Sequence, residues 1–388
     1  MRDQARLWTW PFILVLIINA FNGVASYMIN PILPDYLAEK GVLFSVIGII
    51  SSLISWIALV FRPLSGLMSD RLNRKKVVFF SYLASALCMA AYALSDQVSA
   101  IVIVRILHGI AFGFSGTISM AFATSFLPSR RIAEGMNYIG IASLIGTMFG
   151  PQLGTLFSER AGMSFTFLVA GALYLFCLIL IALVPGKPAP RQGTHRIQLQ
   201  DLFAAQLIVY VILIGLFSFG NSLVSYYLVS FGQSRHIEGV ALFFTVYSLA
   251  MLMMKPFVGR LQDAKGVRVI LIPALLVNAL AMILLAQSFT LLTVLIAAVL
   301  KAVGQGNGSP AIQSEAVKQL GLTRSGVALS TCLIGQDIGN ALGPIYGGFL
   351  IEHAGYQCMF LIYAAMLAAG CVLYLMAGRK RKREEMRT

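Results

Sequence analysis

Arg105, Lys301 and Asp337 are ionisable residues set inside long apolar stretches of this 388-residue chain. A charge at mid-membrane costs at least ~2.5–3.5 kcal/mol on insertion scales, so a retained one is a candidate for function. Asp337 is the sole acid near the middle of such a stretch. Two chemistries fit it. It can carry a proton or couple to a bound small molecule, or it can be the fixed structural partner of Arg105 or Lys301. His108 precedes Lys301 by 193 positions and is a fourth candidate, with a packed neutral imidazole as its other reading. Two interior cations against one acid suit an anionic or zwitterionic ligand. Asn22, Asn221, Tyr226, Gln305, Asn307 and Asn340 are polar residues in the same stretches and candidates to line a shared cavity.

Other chemistries lack their residues. The four histidines (His108, His195, His236 and His353) are scattered, so no metal site is expected. No Gly-Lys-Ser/Thr phosphate loop occurs, and no Ser/His/Asp arrangement falls on loops. The expectation is a protein that is not an enzyme and holds no cofactor.

The elements that must position these residues are written in the composition. The chain is 58% hydrophobic and 11% charged, against about 25% charged for a soluble protein. Twelve apolar stretches are long enough to span a bilayer: residues 11–33, 46–68, 77–94, 100–122, 136–156 and 165–184, then 207–229, 240–259, 269–286, 291–312, 327–350 and 359–377. Backbone in lipid must bond within itself, so these are predicted helices. The first is too long for a cleavable signal and is followed at once by further spans. The predicted fold class is all-α integral membrane, with two six-helix bundles at 1–184 and 204–388 and a cytoplasmic linker at 185–203. The second bundle ends in a basic tail.

With both termini in the cytoplasm, 24 of the 29 Lys and Arg fall on cytoplasmic segments, a strong positive-inside bias. The net charge of +14 therefore reports topology. These basic residues are dispersed over loops, which argues against a nucleic-acid partner. The tail Arg379–Arg383 is expected against anionic lipid head groups. The five cysteines lie in or beside spans without paired spacing and read as apolar packing.

Gly66, Asp70, Gly146, Gly150, Pro151 and Gly154 recur 193 residues later as Gly259, Asp263, Gly339, Gly343, Pro344 and Gly347. A duplicated membrane half is the mark of a secondary transporter. Gly146, Gly150 and Gly154 lie four apart and share one helix face, as do Gly335, Gly339, Gly343 and Gly347. Faces without side chains let helices approach closely, and Pro151 and Pro344 bend the helix. Static packing and a bend that serves rocking bundles both fit. Asp337 lies roughly opposite the glycine stripe, with Asn340 and Pro344 on its side. The first half has Leu144 and Thr147 at the matching positions, so the duplication has become polar on one side only.

Gly66-Leu-Met-Ser-Asp70-Arg71-Leu-Asn73-Arg74-Lys75-Lys76 resembles the loop motif after the second helix in the major facilitator superfamily. Arg105 with Gly109 and Gly113 resembles its fourth-helix motif. Gly146-Thr-Met-Phe-Gly150-Pro151-Gln-Leu-Gly154, with Pro31-Ile-Leu-Pro34, resembles its twelve-helix drug:proton antiporters. The resemblance covers the whole chain. It implies alternating access in a monomer of the cell membrane, protons as the coupling ion and a small-molecule substrate.

It further implies that Asp70 faces the N-terminus of the eleventh helix when the cytoplasmic side is closed, with Asp263 as its degraded counterpart. Arg71, Arg74 and Lys75 would neutralise Asp70 or hold lipid phosphates. Asn73 stands where the family has Gly, and Asn tolerates the left-handed backbone of a tight turn. The chain departs from many of these antiporters in lacking an acid in its first span: Asn19, Asn22 and Asn30 stand there, and Asp35 only at its outer end. The reading is a proton-coupled exporter. A proton symporter importing a metabolite is the alternative, and a membrane sensor that does not transport is the third.

Overall fold

Each apolar stretch must satisfy its own backbone, and the structure is accordingly all-helical among the described residues. The computed structural model describes residues 7–95, 97–128, 132–186, 204–320 and 325–385. Side chains at 63, 66, 67, 69–71, 117, 132–134, 136, 137, 255–260, 263, 325, 326, 329, 330 and 378–385 lie outside that description. Asp70, Arg71 and Asp263, and the surroundings of Gly66 and Gly259, fall among them. So do Arg379–Arg383 of the tail.

The first seven helices are α1 (Trp10–Ile29), α2 (Leu33–Glu39), α3 (Phe44–Arg71), α4 (Arg74–Ala93), α5 (Val98–Thr124), α6 (Ile132–Ala161) and α7 (Met163–Leu183). Then come α8 (Ile208–Ser234), α9 (Leu242–Lys265), α10 (Arg268–Ala286), α11 (Leu291–Leu320) and α12 (Ser325–Glu385). Among the described residues ten helical segments are long and apolar enough to cross a membrane, and Leu242–Met254 is a shorter apolar helix. One of the ten, Thr331–Ala377, carries the last two predicted spans.

One boundary differs from the sequence expectation. The first predicted span stops at Ile29, and a separate short helix begins at Leu33. Pro34 lies in the first turn of α2, where its missing N–H costs nothing. The last two predicted spans meet at Gly355, where the backbone of α12 leaves helical geometry with φ 78° and ψ 171°. Gly162 divides α6 from α7 with φ 85° and ψ 168°. These two glycines are also 193 apart, so the duplication extends to a turn that only glycine adopts cheaply.

Cα proximity divides the chain into two compact units, Met1–Val42 with Leu53–His195 and Leu43–Ser52 with Arg196–Thr388. The predicted linker at 185–203 lies almost wholly outside the described residues. In the first unit α1 packs on α6 and α7, and α4 on α5 and α7. In the second, α8 packs on α12, α10 on α11 and α12, and α9 on α11. The repeat reaches single contacts: Gly113 of α5 abuts Ala58 of α3, and Gly306 of α11 abuts Met251 of α9, each pair 193 from the other. The start of α3 belongs to the second unit. There Gly48 backs onto the Pro344 carbonyl, and the Ser45 N–H donates to Glu352 Oε2 at 2.9 Å.

Buried aromatics such as Phe12, Phe167 and Tyr174 fill the first unit, and Phe217, Phe231 and Tyr363 the second. Val60, Phe80, Leu94 and Met253 are exposed. Such apolar outer faces are what a hydrocarbon solvent requires.

Candidate functional site

In the second unit three side chains meet at Lys301. The lysine is 1% exposed on α11. Its ammonium donates to Asn221 Oδ1 of α8 at 3.3 Å and to Gln305 Oε1 one helical turn further along α11. It also lies 4.7 Å from the ring centre of Tyr247 on α9, a cation–π contact. Three helices thus converge on one nitrogen. The sequence offered Asp337 as a partner for Lys301; the partners described here are neutral. Asp337 is buried on α12 at 5% exposure, and Asn340 is half-buried one turn on. Asn307 is turned back on its own helix and donates to the Val303 carbonyl at 2.9 Å. Tyr226 donates to the Ser51 carbonyl at 3.3 Å, so its hydroxyl is engaged in packing.

Tyr247 and Asn278 went unnoticed in the sequence. Asn278 of α10 is fully buried, donates to Tyr363 Oη at 3.4 Å, and leaves its Oδ1 without a hydrogen-bond partner among the described residues. For Tyr247 the signal existed in the 193-residue offset, whereas Asn278 stands opposite the polar Ser85 and carries none. Ile54 stands opposite Tyr247, Phe112 opposite Gln305 and Met28 opposite Asn221. In each case the second half is the polar one.

The first unit holds Arg105 and His108 on α5, both buried. His108 lies edge-on to Tyr92, with ring centres 6.0 Å apart. Neither ring nitrogen of His108 has a hydrogen-bond partner among the described residues. Asn22 is half-buried on α1.

The glycine stripes are where helix backbones touch. A methyl group on Gly146 would come within 2.5 Å of Gly23 Cα, and one on Gly150 within 2.9 Å of the Val24 carbonyl oxygen. Gly154 meets the Met28 carbonyl. On α12, Gly335 meets Val211, Gly339 meets Gly215, Gly343 meets Phe219 and Ser222, and Gly347 meets Leu223 and Tyr227, all on α8. Both stripes therefore seal packing inside a unit, α6 on α1 and α12 on α8. Pro151 and Pro344 lie within these helices.

The basic part of the loop motif has a structural use that the sequence did not show. Arg74 Nη1 donates to the Ala121 carbonyl and Ser125 Oγ, both at 3.1 Å, at the end of α5. Lys75 Nζ donates to the Ala182 and Val184 carbonyls at 2.9 and 2.6 Å, at the end of α7. Cations at helix C-termini satisfy orphan carbonyls and face the negative dipole end. For Lys75 this is a role inside the first unit beside the expected one at Asp70, whose side chain lies outside the described residues.

Asn73 also departs from expectation. It adopts extended backbone (φ −66°, ψ 108°) and caps α4 by accepting from the Lys75 and Lys76 N–H groups. Its counterpart Gly266 is left-handed at φ 80°. The side-chain oxygen makes the turn here that glycine makes by conformation. Asn73→Ala should lower stability by about 1 kcal/mol, read as a lower unfolding midpoint of the purified protein.

Two repeated sets of long apolar helices, with charged and amide side chains buried along them, define a multi-pass membrane transporter. The chain belongs to the Major Facilitator Superfamily, whose model matches residues 15–243 and 238–387. It is 24% identical over 376 residues to the multidrug resistance protein MdtG of Klebsiella pneumoniae (strain 342), covering 92% of this chain and 91% of that one. MdtG of Escherichia coli (strain K12 / DH10B) is 24% identical over 381 residues, covering 93% and 92%. A point variant of the nucleoside transporter NupG shares the fold with TM-score 0.81 and 14% identity, covering 94% of this chain and 99% of that one. A POT family transporter bound to a thioalcohol-conjugated peptide gives 0.80 and 14%, covering 95% and 96%.

Proposed function

We propose that this transporter exports a small organic molecule in exchange for protons by alternating access, with both termini in the cytoplasm. The observation that carries the coupling is Asp337, a carboxylate 5% exposed within an apolar span. A group kept there against its solvation cost has a use that neutral residues cannot supply. Direction is supported by the relatives, which are named for multidrug resistance, and by the fifth-span motif. In this reading Asp337 carries the proton, while Arg105, Lys301 and His108 set its balance with substrate. Asp70 and Asp263 bias the two access states, because a contact made in one state and lost in the other shifts their equilibrium.

Inverted membrane vesicles made acid inside test the direction. Export by antiport predicts that labelled substrate accumulates in them and that a protonophore releases it. Symport predicts net loss under the same gradient. Asp70→Asn should slow turnover by about two- to thirty-fold, the range set by a carboxylate–dipole contact of ~0.3–2 kcal/mol, with half-saturation unchanged. Substrate counterflow measures both, and an unchanged rate would reduce the motif to a topology signal.

A further inference from the structure

On the reading that Lys301 serves transport, we infer that Asn278 and Tyr363 are positioning residues that set the two amides on its ammonium. Each of those amides follows a glycine: Gly220 precedes Asn221 on α8, and Gly304 precedes Gln305 on α11. A methyl group on Gly220 would fall on the Tyr363 ring of α12. One on Gly304 would lie 2.7 Å from Asn278 Cβ and 2.8 Å from the Asn278 nitrogen, on α10. The missing side chains therefore admit Tyr363 beside one amide and Asn278 beside the other. These two residues are joined, because Asn278 Nδ2 donates to Tyr363 Oη at 3.4 Å. Tyr363 Oη donates in turn to the Leu216 carbonyl at 3.1 Å, one turn before Gly220 on α8. A single pair thus touches both backbones that carry the acceptors of the ammonium, and fixes where they meet Lys301.

A phenol has one hydrogen to give. Spent on Leu216, it leaves the oxygen as an acceptor only, so Asn278 must turn its NH2 group toward it. That orientation leaves Asn278 Oδ1 buried without a hydrogen-bond partner among the described residues. A buried acceptor without a donor costs stability, so an apolar side chain would serve the packing of α10 at least as well. What the amide adds is direction: it locks a hydroxyl that grips α8. At the matching positions of the first half Ser85, Ala170, Tyr27 and Ala111 stand for Asn278, Tyr363, Gly220 and Gly304. His108, Met28 and Phe112 stand there for Lys301, Asn221 and Gln305. The brace and the ammonium it serves therefore occur together, in one half alone.

The test follows the Lys301 side-chain nitrogen itself, by NMR of the full-length protein in detergent, isotope-labelled at lysine Nζ. Its signal is the one missing from Lys301→Arg. Asn221→Leu and Gln305→Leu calibrate the displacement that follows loss of an acceptor. Asn278→Leu keeps the branched shape and should displace the signal in the same sense, with the unfolding midpoint held. Tyr363→Phe keeps the ring against Gly220 and removes only the hydroxyl. It should do likewise, which covers the case of an Asn278 variant that fails to fold. With Asn221→Leu and Gln305→Leu both present, Asn278→Leu should move the signal no further, because the brace acts through those amides. Leu271→Ala, a buried truncation also on α10, should lower the midpoint and leave the signal in place. A signal unmoved by Asn278→Leu and Tyr363→Phe would overturn the inference, and so would an equal displacement in Leu271→Ala. No substrate and no gradient enter the measurement. An unmoved signal therefore removes the brace alone, whereas substrate-dependent proton flux left intact by Lys301→Gln removes Lys301 from transport and leaves the brace standing.

Discussion

Asp337→Asn should abolish uphill transport driven by a pH gradient while leaving the protein folded and competent in substrate-for-substrate exchange. Asn matches Asp in volume and can take a hydrogen bond, and the glycine stripe that packs α12 on α8 is untouched. What is lost is the one buried acid among the described residues. A carrier that cannot bind its proton still equilibrates substrate, because exchange needs only that the loaded form reorient. Accumulation under a gradient should fall to the level of empty liposomes, and counterflow should remain. Normal accumulation in the variant would take Asp337 out of the coupling role and return it to a structural one.

Gly339→Ala should destabilise the protein by about 1–3 kcal/mol or more, the cost of overpacking a close contact. The added methyl group would fall on the Gly215 carbonyl and lie 2.9 Å from the Phe219 nitrogen. Both obstacles are backbone, so relief requires α8 and α12 to separate. The sign is what makes the experiment useful. Ala is the better helix former by ~1 kcal/mol, so an idle glycine would give a more stable variant. Gly116 supplies that control, since a methyl group there meets nothing within 4 Å. Melting the purified proteins in detergent should lower the midpoint for Gly339→Ala and hold or raise it for Gly116→Ala. Equal midpoints would mean that the stripe is not a packing stripe.

The spans were legible because a membrane helix announces itself by length and apolarity alone, and each predicted span lies on a helix. The duplication was legible because identity at a fixed offset needs no structure. What it could not convey is which helix a side chain reaches. Charge alone leaves Asp337 open to Arg105 or Lys301, whereas the converging helices bring Lys301 the neutral Asn221, Gln305 and Tyr247. Tyr247 was hidden among the many aromatics of apolar spans, and only comparison with Ile54 marks it as a polar gain.

Arg74 and Lys75 read as loop charges because the carbonyls they cap belong to the ends of α5 and α7, about 47 to 109 residues away in sequence. Asn73 was expected to copy a glycine's conformation. It reaches the same turn by a side-chain hydrogen bond, a choice the residue type permits but does not dictate.

The most direct test of the account is proton movement itself. Purified protein in liposomes holding a pH-sensitive dye, with an imposed gradient, should show substrate-dependent dissipation of that gradient, in the sense of antiport, and Asp337→Asn should not. Substrate transport with no proton movement, or the same movement in Asp337→Asn, would contradict it.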